Sequence, residues 1–207
     1  MIDYETINWQ KNADGLLPVI VQDADTAQVL MLGYMNCAAL KATLATKQVT
    51  FYSRSKKRLW QKGETSGNTL RLVEITMDCD ADTILVQAIP CGPTCHTGSQ
   101  SCFGESELPM VTLGYLLRTI SERASRGTSN SYTKVLLDGG VDACGAKVLE
   151  EAEEVVRAAK GEGEQRTVEE AADLLYHLLV LLEQREISFD RVATELKKRR
   201  KKAPNIE

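Results

Sequence analysis

Near residue 105 the dominant hydrophobic period of this 207-residue chain changes from two to about 3.6. No other feature constrains the fold as much, because one segment cannot satisfy both periods. Before the switch, LLPVIVQD and VLMLGYMN are apolar, β-rich runs joined by the turn cluster DADTAQ. VTFYSR alternates into a charged loop, and LRLVEITMDCD alternates with Leu70, Leu72 and Ile75 among polar neighbours. One helix is expected to interrupt the strands over Cys37 to Thr46, with Asn36 as its N-cap. After the switch, Leu113, Leu116, Leu117 and Ile120 recur at helical spacing, as do Val148, Ala152, Val155, Val156 and Ala159. AADLLYHLLVLL is apolar nearly all round, which suits a buried bundle helix, and a last helix from about Phe189 ends in KKRRKK. The expectation is two domains: a mainly β (α+β) domain over 1–105, a linker over 106–111, and an all-α helical bundle over 112–207.

Composition narrows the function. A net charge of −4 argues against a nucleic-acid coat, which needs a basic excess to neutralise phosphates. The segment MIDYETINWQKNADG has neither a basic start nor an apolar core, so a signal peptide is not expected. The longest apolar run, Leu174 to Leu182, contains His177 and is too short to span a bilayer. A cytoplasmic location follows as the default. There, six cysteines are more often metal ligands, catalysts or buried thiols than disulfides.

The chemistry concentrates in DCDADTILVQAIPCGPTCHTGSQSC, Asp78 to Cys102. Asp78, Asp80 and Asp82 lie at i, i+2 and i+4, so a strand continuing through them would point all three carboxylates to one face and Cys79 to the other. Three carboxylates on one face repel unless a hard cation such as Mg²⁺ sits among them. Cys79, Cys95 and Cys102 are three thiols for Zn²⁺, leaving a fourth position for water in the manner of a catalytic site. His96, in the loop GPTCHTG, is a zinc ligand, a general base or a loop hydrogen-bonder. SRSKKRLWQKGETSGN reads either as a charged hairpin tip or as a nucleotide site. In the second reading Arg54, Lys62 and Ser66 suit phosphate, and Trp60 suits stacking on a base.

In the second half, Glu150, Glu151 and Glu154 share one helical face, placed opposite the Val/Ala stripe. Glu170 and Asp173 do the same on the next helix. Acids facing each other across a helix pair can hold Mg²⁺ and a polyphosphate, although a solvated acidic face is the commoner case. Asp173 abuts an apolar run, where a carboxylate needs a partner.

The motifs VLMLGYMN, SRS, LWQKGETSGN, DCDAD and CHTGSQSCF resemble those of phosphoribosyl-AMP cyclohydrolase of histidine biosynthesis, over roughly residues 16 to 103. SYTKVLLDGG, EEAEE and EAADLLYHLLVLL resemble phosphoribosyl-ATP pyrophosphohydrolase, an all-α enzyme of the MazG-like kind, over most of 112 to 200. The order of the halves is similar to that of the bifunctional histidine-pathway family. This chain departs from that family in carrying Leu149 where glycine usually precedes the first glutamate pair. The resemblance implies zinc on Cys79, Cys95 and Cys102, and Mg²⁺ on Asp78, Asp80 and Asp82. It implies a second Mg²⁺ on Glu150, Glu151, Glu154, Glu170 and Asp173. It implies small-molecule nucleotide substrates and a homodimer, with no nucleic-acid or membrane partner. The implied reactions are hydrolysis of phosphoribosyl-ATP to phosphoribosyl-AMP and pyrophosphate, then opening of the adenine ring at N1–C6 by a zinc-bound hydroxide. A nucleoside deaminase joined to a nucleotide pyrophosphatase is the nearest rival, but its His-x-Glu and Pro-Cys-x-x-Cys signature is absent.

Overall fold

The computed structural model describes residues 7–106, 108–126 and 131–202. It separates into two compact units, one running to Tyr115 and the other from Leu116. Both expected fold types are present: strands first, then helices.

The first unit holds strands β1 (Leu17–Asp23), β2 (Val29–Met35), β3 (Thr50–Ser53), β4 (Arg58–Gln61), β5 (Leu70–Met77) and β6 (Ile84–Pro90), with helix α1 (Cys37–Thr46) after β2. Four strands form a sheet in the order β2-β1-β6-β5. β1 and β6 are parallel and the other pairs antiparallel. β3 and β4 form a separate hairpin. The period-two apolar residues fill one core: Leu17, Val19 and Val21 meet Ile84, Val86, Leu30 and Met35, all fully buried. α1 starts as expected, because the Asn36 carboxamide oxygen accepts the Ala39 N–H at 2.9 Å. It is tied to β3 by Thr43, whose buried hydroxyl donates to the Ala39 carbonyl and accepts the Thr50 N–H at 2.9 Å. Gly33 is required on β2, because a Cβ there would lie 2.4 Å from the Phe51 ring.

Two details of β5 differ from the expected alternation. Its pairing with β6 slips between Leu72 and Glu74, which moves the inward phase from Leu70 and Leu72 to Ile75 and leaves Val73 exposed. The strand also ends at Met77 and does not continue through the aspartates. Asp78 turns the chain instead: its Oδ1 accepts the N–H groups of Asp82 and Thr83 at 3.0 and 3.1 Å, and Ala81 takes a φ of 58°.

The helices are α2 (Pro109–Arg126), α3 (Tyr132–Asp138), α4 (Gly140–Gly161), α5 (Glu164–Gln184) and α6 (Phe189–Lys202). α2 begins inside the expected linker, of which position 107 lies outside the described residues. Its first turns belong to the first unit. Val111 is buried, the Tyr115 hydroxyl donates to Gln28 Oε1 at 2.8 Å, and a Cβ on Gly114 would meet Thr26 Cα at 2.6 Å.

In the second unit α4 packs along α5, and α3 packs on both. The buried residues of α4 are Cys144, Glu151 and Ala158, while Val156 and Ala159 are exposed. The acidic face was expected opposite the packed face; part of it is the packed face. α5 likewise buries Glu170, His177, Leu179 and Val180, and leaves Leu175 and Leu178 each 40% exposed. It is therefore not buried all round within one chain.

Candidate active sites

In the first unit, a cleft of about 500 Å³ opens where the end of β4 meets two loops. Trp60, Lys62, Gly63, Ser66 and Asn68 line one wall, Thr94, Cys95, His96 and Cys102 the other, with Met31 between. Hydrogen bonds in both loops fix the walls. Lys62 N–H donates to the Val49 carbonyl, Cys91 N–H to Thr69, and Cys102 N–H to Leu30 at 2.8 Å. The buried Ser101 hydroxyl donates to the Val29 carbonyl at 2.8 Å. Gly63, at φ 83°, admits the Asn68 backbone so closely that a Cβ would lie 2.5 Å from its carbonyl.

Trp60 sits on β4. Its ring stacks on Phe51 at 5.6 Å and 28°, which holds it rigidly while it lines the cleft. Lys62 is 7% exposed, and its ammonium donates to the Asn68 carbonyl at 3.0 Å. Burial pulls its pKa down, against the opposing pull of Cys102 and Cys95. Cys95 is held at about 6, chiefly by the Thr97 hydroxyl, which donates to its sulfur at 3.1 Å. Burial, followed by the neighbouring Cys95, pushes Cys102 the other way. His96 is exposed on the rim, with Nδ1 3.8 Å from the Cys95 sulfur.

The other expected residues of this unit lie elsewhere. Arg54 is at the β3–β4 tip, its guanidinium 3.7 Å above the Tyr34 ring rather than in the cleft lining. Cys79 is exposed in the turn after β5. Asp78, Asp80 and Asp82 share that turn, and their carboxylates do converge, to within 4.8 Å of one another. They converge through a turn and not through a strand. Lys11 bridges two of them, 2.6 Å from Asp80 and 2.7 Å from Asp82.

The second unit brings Glu151, Glu154 and Glu170 to within the same 4.8 Å. Among the described residues, these and the three aspartates are the groups of potential ligands that converge, and neither includes a cysteine. Each of the three glutamates has a cation beside it: Lys147 lies 3.3 Å from Glu151, Arg157 2.9 Å from Glu154, and Arg166 pairs with Glu170. Burial raises Glu170 most. Arg166 opposes this, while Glu154, Glu151 and Asp173 add to it. Glu150 and Asp173 are exposed beside this cluster, Glu150 paired with Lys147 at 2.8 Å. Leu149 is 70% exposed. The carboxylates are hard oxygen donors of the type Mg²⁺ takes, and Cys95 with Cys102 are soft donors of the type zinc takes.

A cleft lined by two thiols in a β-rich unit is followed by a carboxylate cluster in a helical unit, so each half carries its own candidate site. The phosphoribosyl-AMP cyclohydrolase family model matches residues 31–104, and the phosphoribosyl-ATP pyrophosphohydrolase model matches residues 113–200. The chain is 49% identical over 200 residues to the histidine biosynthesis bifunctional protein HisIE of Vibrio cholerae serotype O1, covering 95% of each. It is 52% identical over 193 residues to that of Xylella fastidiosa strain Temecula1, covering 93% of this chain and 92% of the relative. The protein of that name from Xanthomonas campestris pv. campestris is 51% identical, with 95% of this chain and 94% of the relative covered. The chain belongs to the family in which phosphoribosyl-AMP cyclohydrolase is fused to phosphoribosyl-ATP pyrophosphohydrolase.

Proposed function

We infer that this chain performs two consecutive hydrolyses of histidine biosynthesis. The helical unit cleaves phosphoribosyl-ATP to phosphoribosyl-AMP and pyrophosphate. The β-rich unit then opens the adenine ring of phosphoribosyl-AMP at N1–C6. The observation that carries this reading is the tandem family match, which falls in order on the unit with the cleft and the unit with the carboxylate cluster.

In the cleft, Trp60 offers a fixed ring face to the base, and Lys62 and Ser66 face the phosphate. Cys95 and Cys102 hold zinc, with Cys79 supplied by a second copy of the chain, since Cys79 does not join them within one copy. When bound, zinc supplies Lewis acidity and lowers the pKa of water. The buried Lys62 ammonium favours thiolate at both cysteines. His96, with Nδ1 toward Cys95, keeps Nε2 to take a proton and to return it as N1 departs. Asp78, Asp80 and Asp82 hold Mg²⁺ once Lys11 withdraws.

In the helical unit, Glu151, Glu154 and Glu170 hold Mg²⁺, flanked by Glu150 and Asp173. When bound, Mg²⁺ offsets charge on the leaving pyrophosphate. Lys147, Arg157 and Arg166, now engaged with the acids, are then freed to hold phosphate oxygens. One cluster carboxylate accepts the proton of the attacking water.

The second copy also covers the apolar stripe of α5, making the protein a homodimer. No helix among the described residues is long and apolar enough to cross a membrane. A reducing cytoplasm suits six unbridged cysteines.

The test supplies phosphoribosyl-ATP and follows pyrophosphate and the ring-opened product separately. Cys95→Ala is expected to abolish zinc binding and ring opening while pyrophosphate release continues. Glu151→Gln is expected to abolish pyrophosphate release while supplied phosphoribosyl-AMP is still opened. Ammonia release in place of ring opening would overturn the assignment of the first unit.

A further inference from the structure

Tyr132 opens α3 and is 53% exposed, an unusual setting for an aromatic ring beside a buried carboxylate cluster. Its inner face is occupied: it stacks on Tyr176 with centroids 6.3 Å apart and planes at 19°. The His177 ring meets Tyr132 edge-on at 5.8 Å and Tyr176 at 5.1 Å. Tyr176 is pinned in turn, its hydroxyl 2.8 Å from that of the fully buried Thr133. The Tyr132 ring is therefore backed by Tyr176 and His177, and just over half of its surface is uncovered by the described residues. His177 connects this platform to the cluster, with Nε2 3.6 Å from Glu151 Oε1. The Tyr132 phenol is raised by burial and feels Lys147, Glu151 and Glu150, as expected of a ring at the cluster's edge. A rigid π-face one imidazole away from a carboxylate cluster matches the layout of a nucleotide, base at one end and phosphates at the other.

We propose that the outer face of Tyr132 stacks on the adenine of phosphoribosyl-ATP while the triphosphate lies over Glu151, Glu154 and Glu170. This rests on the reading of that cluster as the pyrophosphohydrolase site and adds to it the determinant for the base. Tyr132 selects a nucleotide over a bare polyphosphate, and Tyr176 and His177 are positioning residues.

The experiment measures pyrophosphate release by the full chain with Mg²⁺, inhibited separately by AMP and by inorganic pyrophosphate. Base–aromatic stacking predicts that Tyr132→Leu raises KM and the AMP inhibition constant about tenfold or more. Inhibition by pyrophosphate should stay within about twofold, since that ligand has no base. Tyr132→Phe and Tyr132→Trp keep a π-face and should retain AMP inhibition. Loss of inhibition by both ligands in Tyr132→Leu would show a structural role and overturn the proposal. Unchanged AMP inhibition would overturn it too. Failure of the cluster assignment is separable: Glu151→Gln would then release pyrophosphate at the rate of the unaltered chain.

Discussion

Cys95 shows how much chemistry one side chain takes from its immediate loop. In CHTGS the Thr97 hydroxyl and backbone N–H both point at its sulfur, and the turn is closed by Cys95 N–H to the Ser99 carbonyl at 3.0 Å. With its pKa at about 6, the sulfur is a thiolate across the neutral range before any metal arrives. Its folded value lies below that of a free thiol. The advantage this gives the fold is full above the free thiol's pKa of about 8.5, shrinks as pH falls, and is gone once pH drops through about 6. Alkylation of chelator-treated protein, followed by peptide mass analysis, should therefore show Cys95 reacting with a midpoint near pH 6. Thr97→Ala should move that midpoint upward, toward the about 8.5 of a free thiol. An unmoved midpoint would mean the hydroxyl does not set the thiolate. The sequence marked Cys95 and His96 as chemistry but was silent on Thr97, which reads as an ordinary loop threonine. Lys62 is the converse case: in sequence it is one of five basic residues in a charged segment, and only the fold distinguishes the buried one.

Among the elements, α4 and α5 separate what a pattern can report from what it cannot. Helical spacing grouped Glu150, Glu151 and Glu154 on one helix and Glu170 and Asp173 on the next, of which Glu151, Glu154 and Glu170 converge. It did not report which face turns inward, because apolar residues occur on both sides and burial of the acids depends on cations from Lys147, Arg157 and Arg166. The same limit applies to the turn after β5. Three aspartates at alternate positions mimic a strand, yet the Asp78 side chain competes for the backbone N–H groups and ends the ladder. The Leu70, Leu72, Ile75 spacing held the bulge in plain view, since 72 and 75 differ in phase. For α5 the consequence is testable. The folded chain holds the Glu170 proton more tightly than the unfolded chain does, because its carboxyl is raised. Without metal, the helical unit should lose stability as pH rises from the usual carboxylate range through the raised value. Glu170→Gln should raise the melting temperature of metal-free protein at neutral pH. It should also cut Mg²⁺-dependent pyrophosphate release by about 100-fold or more, at least the loss seen when a ligand's own support is removed. A Glu170→Gln protein with lower stability and intact Mg²⁺ dependence would make the carboxylate a structural ion-pair partner of Arg166.

At the scale of the whole molecule, two compact units carry two activities, and what each exposes bears on what covers it. On α5, Val168, Ala172 and Leu175 fall at i, i+4 and i+7, with Leu178 one turn further, all exposed in the single chain. Val156 on α4 is exposed as well. A helix apolar on two sides needs a neighbour on each, and within one chain α5 has α3 and α4 on its inner side. The double substitution Leu175→Glu and Leu178→Glu is expected to convert a dimer to monomer in sedimentation equilibrium. Ring opening should fall with it if Cys79 of one copy serves Cys95 and Cys102 of the other. A monomeric unaltered chain would remove both expectations.

The first turns of α2 bear on how such a fused gene can be divided. Val111, Gly114 and Tyr115 are packed into the first unit, although they follow the motifs of that half and open the helix leading into the next. A cut at the end of the last recognisable cyclohydrolase motif would strip the β1–β2 turn of its cover and leave Gln28 without its tyrosine. Separation of the two activities, whether by gene fission, by proteolysis or in the laboratory, is least costly to the first unit when the break falls beyond Tyr115. The fragment carrying the second activity then has to begin in the middle of a helix and build a new start for it.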